Sequence, residues 1–156
     1  MKLKPQTALF WQEYVQSRPG AEEAARRFLE VFQIGDTKQS ADEGVTFITQ
    51  GRKTMTSSLL WEYEVANTPL PQVGALSIVE DGSGKPICIV ETTEVAITKF
   101  EDVDEQFASD YGEWDQSLAS WRTHCWGYYE AQCRSLGKVA TPKMPLVCER
   151  FRVVYP

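Results

Sequence analysis

The sequence predicts a mixed α+β domain with a small, mostly antiparallel sheet. Three observations lead to this fold class: helical patterns fill the first third of the chain, a strand hairpin occupies the middle, and a long helix and a strand complete it. No regular crossover helices separate the predicted strands, so an antiparallel sheet, which could curl into a barrel, is favoured over a parallel one. The 156 residues are 42% hydrophobic, which suits one domain with a single core.

Three helices are predicted in the first 50 residues. The segment "TALFWQEYVQS" has helical spacing of its aromatic residues and ends before Pro19. The segment "AEEAARRFLEVFQIG" is predicted as one helix, with Phe28 and Phe32 on a shared face. A third helix is predicted from about Ser40, with Gly51 as its C-terminal cap.

The rest of the chain alternates strands and helices. "VGALSIVED" and "PICIVETTEVAITKF" read as two strands joined by a Gly-Ser-Gly turn, which is typical of a hairpin. "EDVDEQFASDYGE" predicts a short acidic helix. "DQSLASWRTHCWGYYEAQCRSLG" predicts the longest helix, with Asp115 as N-cap, Trp121 and Cys125 on its buried face and Gly137 at its end. "PLVCERFRVVY" alternates as a strand does.

Charge and cysteine content limit the function classes. The net charge of −6 and the pI near 4.9 argue against a protein that coats nucleic acid, but they permit a small basic pocket for one nucleotide or nucleoside. The four cysteines form no C-x-x-C motif, which predicts buried thiols in a reduced, cytosolic protein. The chain shows neither a signal-peptide core nor a run long enough to span a bilayer, so we expect a cytoplasmic location.

The segment "GRKTMT", residues 51–56, holds the most suggestive side chains. It lacks the spacing of a P-loop. One interpretation is a helix cap followed by an edge strand with solvated charges. The other is catalytic: Lys53, its pKa lowered by burial or by Arg52, takes the proton of the Thr56 hydroxyl. Residues three apart lie on opposite faces of a strand, so the catalytic interpretation needs a bend or a bulge.

Other polar residues are weaker candidates. His124 is the only histidine, and it either packs at a helix edge or lines a pocket for an anion or carbonyl together with Arg122. Glu91 alternates with apolar residues on a predicted strand and could point into a cleft. A carboxylate from the acidic stretch 101–115 could orient a lysine or bind a divalent cation.

Four blocks in the same order resemble the ASCH-domain proteins of the longer bacterial type. They are "FITQGRKTMTSSLLWEYE", "PLPQVGALSIVEDGSGKPICIVETTEV", "FASDYGEWDQSLASWRTHCWGYYE" and "ERFRVVY", and the likeness runs from about Phe28 to Tyr155. The resemblance implies a PUA-like fold, a small β-barrel with surrounding helices and a cleft. It implies a single domain over residues 1–156, with the helical region of about residues 1–50 packed on the barrel. The superfamily is associated with RNA and modified nucleosides.

The resemblance implies two activities and leaves a third possibility open. The first is an amidohydrolase that removes the acetyl group of N4-acetylcytidine without a cofactor, and its lysine and threonine fall on Lys53 and Thr56. The second is a ribonuclease that cleaves single-stranded RNA and requires a divalent cation. The third is a module that binds RNA or a nucleotide and has no catalytic activity. The expected partner is therefore a modified nucleoside or single-stranded RNA, and neither DNA nor a membrane.

The acid of the amidohydrolase motif departs from the family pattern. Similar proteins read F-A-x-x-E-G-E-G-D where this chain has "FASDYGEWD", so Tyr111 replaces the first glutamate and Trp114 replaces a glycine. Glu113, or alternatively Asp110, is then expected to hold Lys53. The further residues expected to contact substrate are Gly51, Arg52, Thr54, Ser57, Glu91, Arg122 and His124.

Overall fold

The computed structural model describes residues 2–156, which form two compact units. The first unit comprises residues 2–51, Val73–Thr93 and Phe151–Pro156. The second comprises Arg52–Gln72 and Glu94–Arg150.

Six α-helices and five strands make up the described residues. The helices are α1 Pro5–Gln16, α2 Ala21–Arg26, α3 Lys38–Thr49, α4 Leu60–Ala66, α5 Glu105–Tyr111 and α6 Leu118–Ser135, and a single 3-10 turn spans Phe100–Asp102. The strands are β1 Phe28–Phe32, β2 Met55–Leu59, β3 Leu76–Glu80, β4 Pro86–Lys99 and β5 Pro145–Tyr155.

The strands form one sheet in the order β1-β3-β4-β5-β2. The pairs β3–β4 and β2–β5 are antiparallel, whereas β1 runs parallel to β3. The predicted α+β class with a mostly antiparallel sheet is confirmed. Within residues 2–156 the sheet is open, with β1 and β2 at its edges, so the expected barrel is not confirmed.

The helix predicted over "AEEAARRFLEVFQIG" is wrong in its second half. Helix α2 ends at Arg26, and Phe28–Phe32 forms strand β1. Aromatic and β-branched residues favour an extended chain, and this segment gains a parallel ladder with β3, in which Val31 lies opposite Ile78. Long-range pairing of backbone groups therefore outweighs the local helical spacing of Phe28 and Phe32.

The N-cap predicted for the longest helix is also wrong by two residues. The hydroxyl of Ser117 accepts a hydrogen bond from the backbone N–H of Ser120, so Ser117 caps α6. The carboxylate of Asp115 instead accepts hydrogen bonds from the backbone N–H and the hydroxyl of Ser117, at 2.9 and 2.7 Å. Asp115 thus orients the capping residue.

The buried face predicted for α6 is confirmed. Trp121, Cys125 and Tyr129 are buried in the core of the second unit, together with Met55 and Leu59 of β2. All four cysteines are buried free thiols, as predicted. No helix among residues 2–156 combines the length and the apolar character needed to cross a membrane.

Candidate functional site

Lys53 is the buried cation of the second unit. Only 1% of the residue is exposed, which is unusual for a lysine because an unpaired charge is costly to remove from water. It follows Gly51, whose φ of +76° ends α3, and it precedes β2. The N–H of Gly51 donates to the carbonyl of Ile48, so it is already used in capping the helix.

Three acceptors surround the Lys53 ammonium. Its Nζ lies 2.9 Å from Oε2 of Glu113 and donates to the backbone carbonyl of Tyr111 at 3.1 Å. It also lies 3.3 Å from the centroid of the Tyr111 ring. The contact with Glu113 is off the direction of a well-formed hydrogen bond, so it is mainly an ion pair. Glu113 is nearly buried, with 11% of its side chain exposed.

Burial lowers the pKa of Lys53, and the neighbouring carboxylate only partly opposes this effect. Desolvation penalises the charged ammonium, whereas the negative charge of Glu113 and its contact with Nζ favour it. A desolvated lysine with a lowered pKa beside one specific charge partner is an arrangement found at functional sites, where a side chain accepts or donates a proton.

A close approach of two backbone segments places Glu113 beside Lys53. Gly112 has a φ of +75°, and a Cβ at this position would collide with the carbonyl of Arg52 and lie 2.6 Å from the Cα of Lys53. Arg52 holds the same loop, since its Nε donates to the carbonyl of Gly112 at 2.6 Å and its Nη2 to that of Trp114. Arg52 therefore contacts the protein backbone at two points, and its expected contact with substrate stays a prediction.

Thr56 lies on β2 and is not hydrogen-bonded to Lys53 in the described structure. Exposure alternates along the segment, with Lys53 and Met55 buried and Thr54 and Thr56 half-buried. This alternation is typical of extended chain and places Lys53 and Thr56 on opposite faces. Strand β2 pairs with β5 without a shift of register, so the bulge that the catalytic interpretation required is not present within β2.

The neighbouring hydroxyl residues Thr54 and Ser57 form hydrogen bonds within the protein. The backbone N–H of Thr54 donates to the carbonyl of Asp110 at 2.8 Å, and the Ser57 hydroxyl is hydrogen-bonded to that of Tyr129. The carboxylate of Asp110 pairs with Arg150 at 2.8 Å. Glu113 and Asp110 were the two acids expected to hold Lys53. Glu113 is the one that contacts its ammonium.

His124 and Arg122 lie on the exposed side of α6. The His124 ring stacks on Trp114, with centroids 4.4 Å apart and planes 9° apart, and its Nδ1 lies 2.9 Å from the carbonyl of Ser120. Trp114 is 36% exposed and also stacks on Tyr111. Arg122 donates to the carbonyl of Glu101 at 3.2 Å. The expectation that His124 and Arg122 contact substrate stays a prediction.

Glu91 belongs to the first unit and forms ion pairs there. It lies 2.6 Å from Nη1 of Arg27 and 2.7 Å from Nη2 of Arg152. Partial burial acts to raise the pKa of Glu91, but the hydrogen bonds from the two arginines outweigh it, so the net pKa is lowered.

The residues that the ribonuclease alternative needs for a divalent cation do not fit such an ion well. Among residues 2–156, no group of three or more His, Cys, Asp or Glu side chains comes together in a way that could hold a metal. Glu91 and Glu113, two acidic residues expected at the site, each pair with basic side chains. No mechanistic step is therefore assigned to a metal.

The sequence did not predict the contact between Lys53 and Tyr111. A tyrosine 58 residues away along the chain, in place of an expected acid, carries no local signal that its ring faces a lysine. The same holds for the stack of Trp114 on His124. Only the packing of α5, the following loop and α6 brings these side chains together.

Comparisons with known proteins agree with this architecture. The family model described as ASCH domain matches residues 30–155. The crystal structure of an ASCH domain from Lactobacillus crispatus JV V101 has a TM-score of 0.94 and 32% identity, and the match covers 100% of this chain and 98% of that chain. The crystal structure of protein EF3133 from Enterococcus faecalis V583 has a TM-score of 0.83 and 27% identity, and the match covers 95% of this chain and 87% of that chain. None of the curated proteins compared with the chain matches it significantly. The chain belongs to the ASCH domain family.

Proposed function

We propose that this protein is a hydrolase that removes the acyl group from a modified cytidine of the N4-acetylcytidine type. ASCH domains are generally associated with RNA, so a nucleoside is a reasonable substrate class. The observation that carries the proposal is the buried Lys53 ammonium with a lowered pKa and one acid, Glu113, at 2.9 Å. The excess negative charge of the protein is compatible with a small uncharged substrate.

In the proposed reaction Lys53 acts as general base and Thr56 as nucleophile. The Thr56 hydroxyl attacks the amide carbonyl carbon, and its proton passes to the neutral amine of Lys53. The tetrahedral intermediate then collapses, the C–N bond breaks, and the proton returns from Lys53 to the leaving amine. Water hydrolyses the resulting acyl ester of Thr56. Because Lys53 and Thr56 lie on opposite faces of the segment in the described structure, this step requires a rearrangement of residues 53–56 in the substrate complex that brings the hydroxyl within hydrogen-bond reach of the amine.

The role of Glu113 is to hold Lys53 in place and to tune its charge. The carboxylate favours the ammonium that forms when Lys53 accepts the proton, and it stabilises the transition state as that charge develops. Burial lowers the pKa of Lys53, which favours the neutral amine that a general base requires. Burial, which lowers the pKa of Lys53, and the charge of Glu113, which raises it, therefore act on the same amine.

The test is an incubation of the protein with N4-acetylcytidine, in which chromatography measures the release of cytidine and acetate. We expect Lys53→Met and Thr56→Val to lower kcat by about 100-fold or more, since general base catalysis contributes 10²–10⁴-fold. The matched controls, Lys143→Met and Thr123→Val, change exposed residues of the same unit and are expected to retain activity. If the unaltered protein releases no more cytidine than the Thr56→Val variant, the hydrolase proposal is wrong.

The absence of a hydrogen bond between Lys53 and Thr56 favours a second candidate, a binding module without catalysis. In that case a nucleoside or RNA ligand would bind the Thr56→Ala variant normally and the Lys53→Ala variant weakly, as measured by calorimetry. The protein is also incubated with single-stranded RNA, with and without EDTA. RNA degradation that EDTA abolishes would show that the protein is a ribonuclease and would refute both candidates.

A further inference from the structure

Tyr111 contacts the Lys53 ammonium through both its backbone and its ring. The carbonyl accepts a hydrogen bond at 3.1 Å, and the ring centroid lies 3.3 Å from Nζ. The ring is buried and fixed by aromatic neighbours, Phe107 at 5.8 Å, Trp114 at 5.9 Å and Trp121 at 6.0 Å between centroids. Its position is therefore defined by the core.

We infer that Tyr111 is a positioning residue whose ring face holds the Lys53 ammonium against Oε2 of Glu113. This inference rests on the proposed function only in treating Lys53 as the reactive group. An ammonium has three N–H donors. Glu113, the carbonyl of Tyr111 and the ring of Tyr111 supply three acceptors, and the ring is the only one that a side-chain substitution at Tyr111 removes.

The distance and the burial make the ring contact energetically significant. A cation within about 6 Å of an aromatic centroid is attracted by the negative face of the ring, and the attraction is strongest when water is excluded. Here the distance is 3.3 Å and the lysine side chain is not exposed to water. The ring therefore favours the charged form of Lys53 against the desolvation that disfavours it.

The remaining groups facing Lys53 are few in the described part of the chain. Glu113 carries the only opposite charge that contacts the ammonium. Cys125 of α6 also faces it, but burial raises the pKa of this thiol to about 12, so it stays neutral at ordinary pH. Burial also raises the pKa of Tyr111 well above its usual value, so its ring acts as a neutral phenol. A change in the titration of Lys53 on replacing Tyr111 would therefore report on the ring.

The experiment is an NMR titration of Lys53 in protein labelled with ¹³C at lysine Cε, with the Lys53 signal assigned from the Lys53→Met variant. Tyr111→Leu removes the ring, Tyr111→Phe keeps the ring without its hydroxyl, and Phe100→Leu makes a cavity in the same core beside Trp121 and Trp126. We expect the titration midpoint to fall by about one pH unit in Tyr111→Leu. The other two variants should retain the midpoint of the unaltered protein. If Tyr111→Leu fails to fold, Tyr111→Met takes its place.

An unchanged or higher midpoint in Tyr111→Leu would overturn the inference. It would also be overturned if Tyr111→Phe or Phe100→Leu lowered the midpoint to the same extent, because the effect would then come from the hydroxyl or from repacking of the core. The titration needs no substrate. The inference therefore stands or falls separately from the hydrolysis of N4-acetylcytidine, which tests the proposed function.

Discussion

The substitution Glu113→Gln would test whether the buried ion pair is as important as its geometry indicates. The change keeps the size and shape of the side chain but removes the charge 2.9 Å from the Lys53 ammonium. At that distance, with an effective dielectric constant of 20, the attraction between unit charges is about 6 kcal/mol. The amide oxygen can still accept a hydrogen bond, and the Tyr111 contacts remain. We therefore expect the free energy of unfolding at pH 7 to fall by about 3–5 kcal/mol.

The loss should shrink as the pH rises. The unfolded chain keeps the Lys53 proton up to about pH 10.4, whereas the folded variant, with burial unopposed, releases it at a lower pH. Between these two pKa values the unfolded state binds more protons, so the free energy of unfolding rises by up to about 1.4 kcal/mol per pH unit. In the unaltered protein the same rise begins at a higher pH, because Glu113 favours the charged lysine.

The assay is urea unfolding at pH 7 and at pH 9.5, with two comparison variants. Glu94→Gln removes a carboxylate that is 70% exposed and 3.5 Å from Arg150, and it should cost less than about 1 kcal/mol. The double variant Lys53→Met with Glu113→Gln removes both charges and should be at least about 2 kcal/mol more stable at pH 7 than Glu113→Gln alone.

Two results would refute the reasoning. If Glu113→Gln unfolds at the same urea concentration as the unaltered protein, Lys53 does not depend on this carboxylate. If the double variant is as unstable as Glu113→Gln, the loss comes from packing at residue 113 and not from an unpaired buried charge.

Three further predictions concern the scaffold of the site. Gly112→Ala should lower the free energy of unfolding by about 1–3 kcal/mol, because its Cβ would lie 2.6 Å from the Cα of Lys53 at a φ of +75°. Gly127→Ala, in a helix with open space around it, should raise that free energy by up to about 1 kcal/mol. Urea unfolding measures both changes. Ser117→Ala should cost about 1 kcal/mol by removing the N-cap of α6, and an unchanged unfolding midpoint would contradict that role. A thiol reagent should modify none of the four cysteines in the native protein and all four in denaturant, because all four are buried.

Local sequence patterns predicted most of the secondary structure, and they failed where distant segments decide. The hairpin of β3 and β4 and the helix α6 follow from turn residues and periodicity within a single segment. Strand β1 does not, since its residues have helical spacing and become a strand only by pairing with β3, more than 40 residues later. The N-cap of α6 was misplaced because Asp115 and Ser117 are both good capping residues, and only the observed hydrogen bonds distinguish them.

The sequence by itself determined that basic and hydroxyl side chains are concentrated at residues 51–56, and that a tyrosine at position 111 stands where an acid is expected. Only the tertiary structure decided how Lys53 is held. Burial of the lysine, the approach of Glu113 through Gly112 and the ring of Tyr111 each depend on packing between segments about 60 residues apart in the chain. Desolvation and the distance between charges set the pKa of a lysine, and neither quantity is contained in the local sequence.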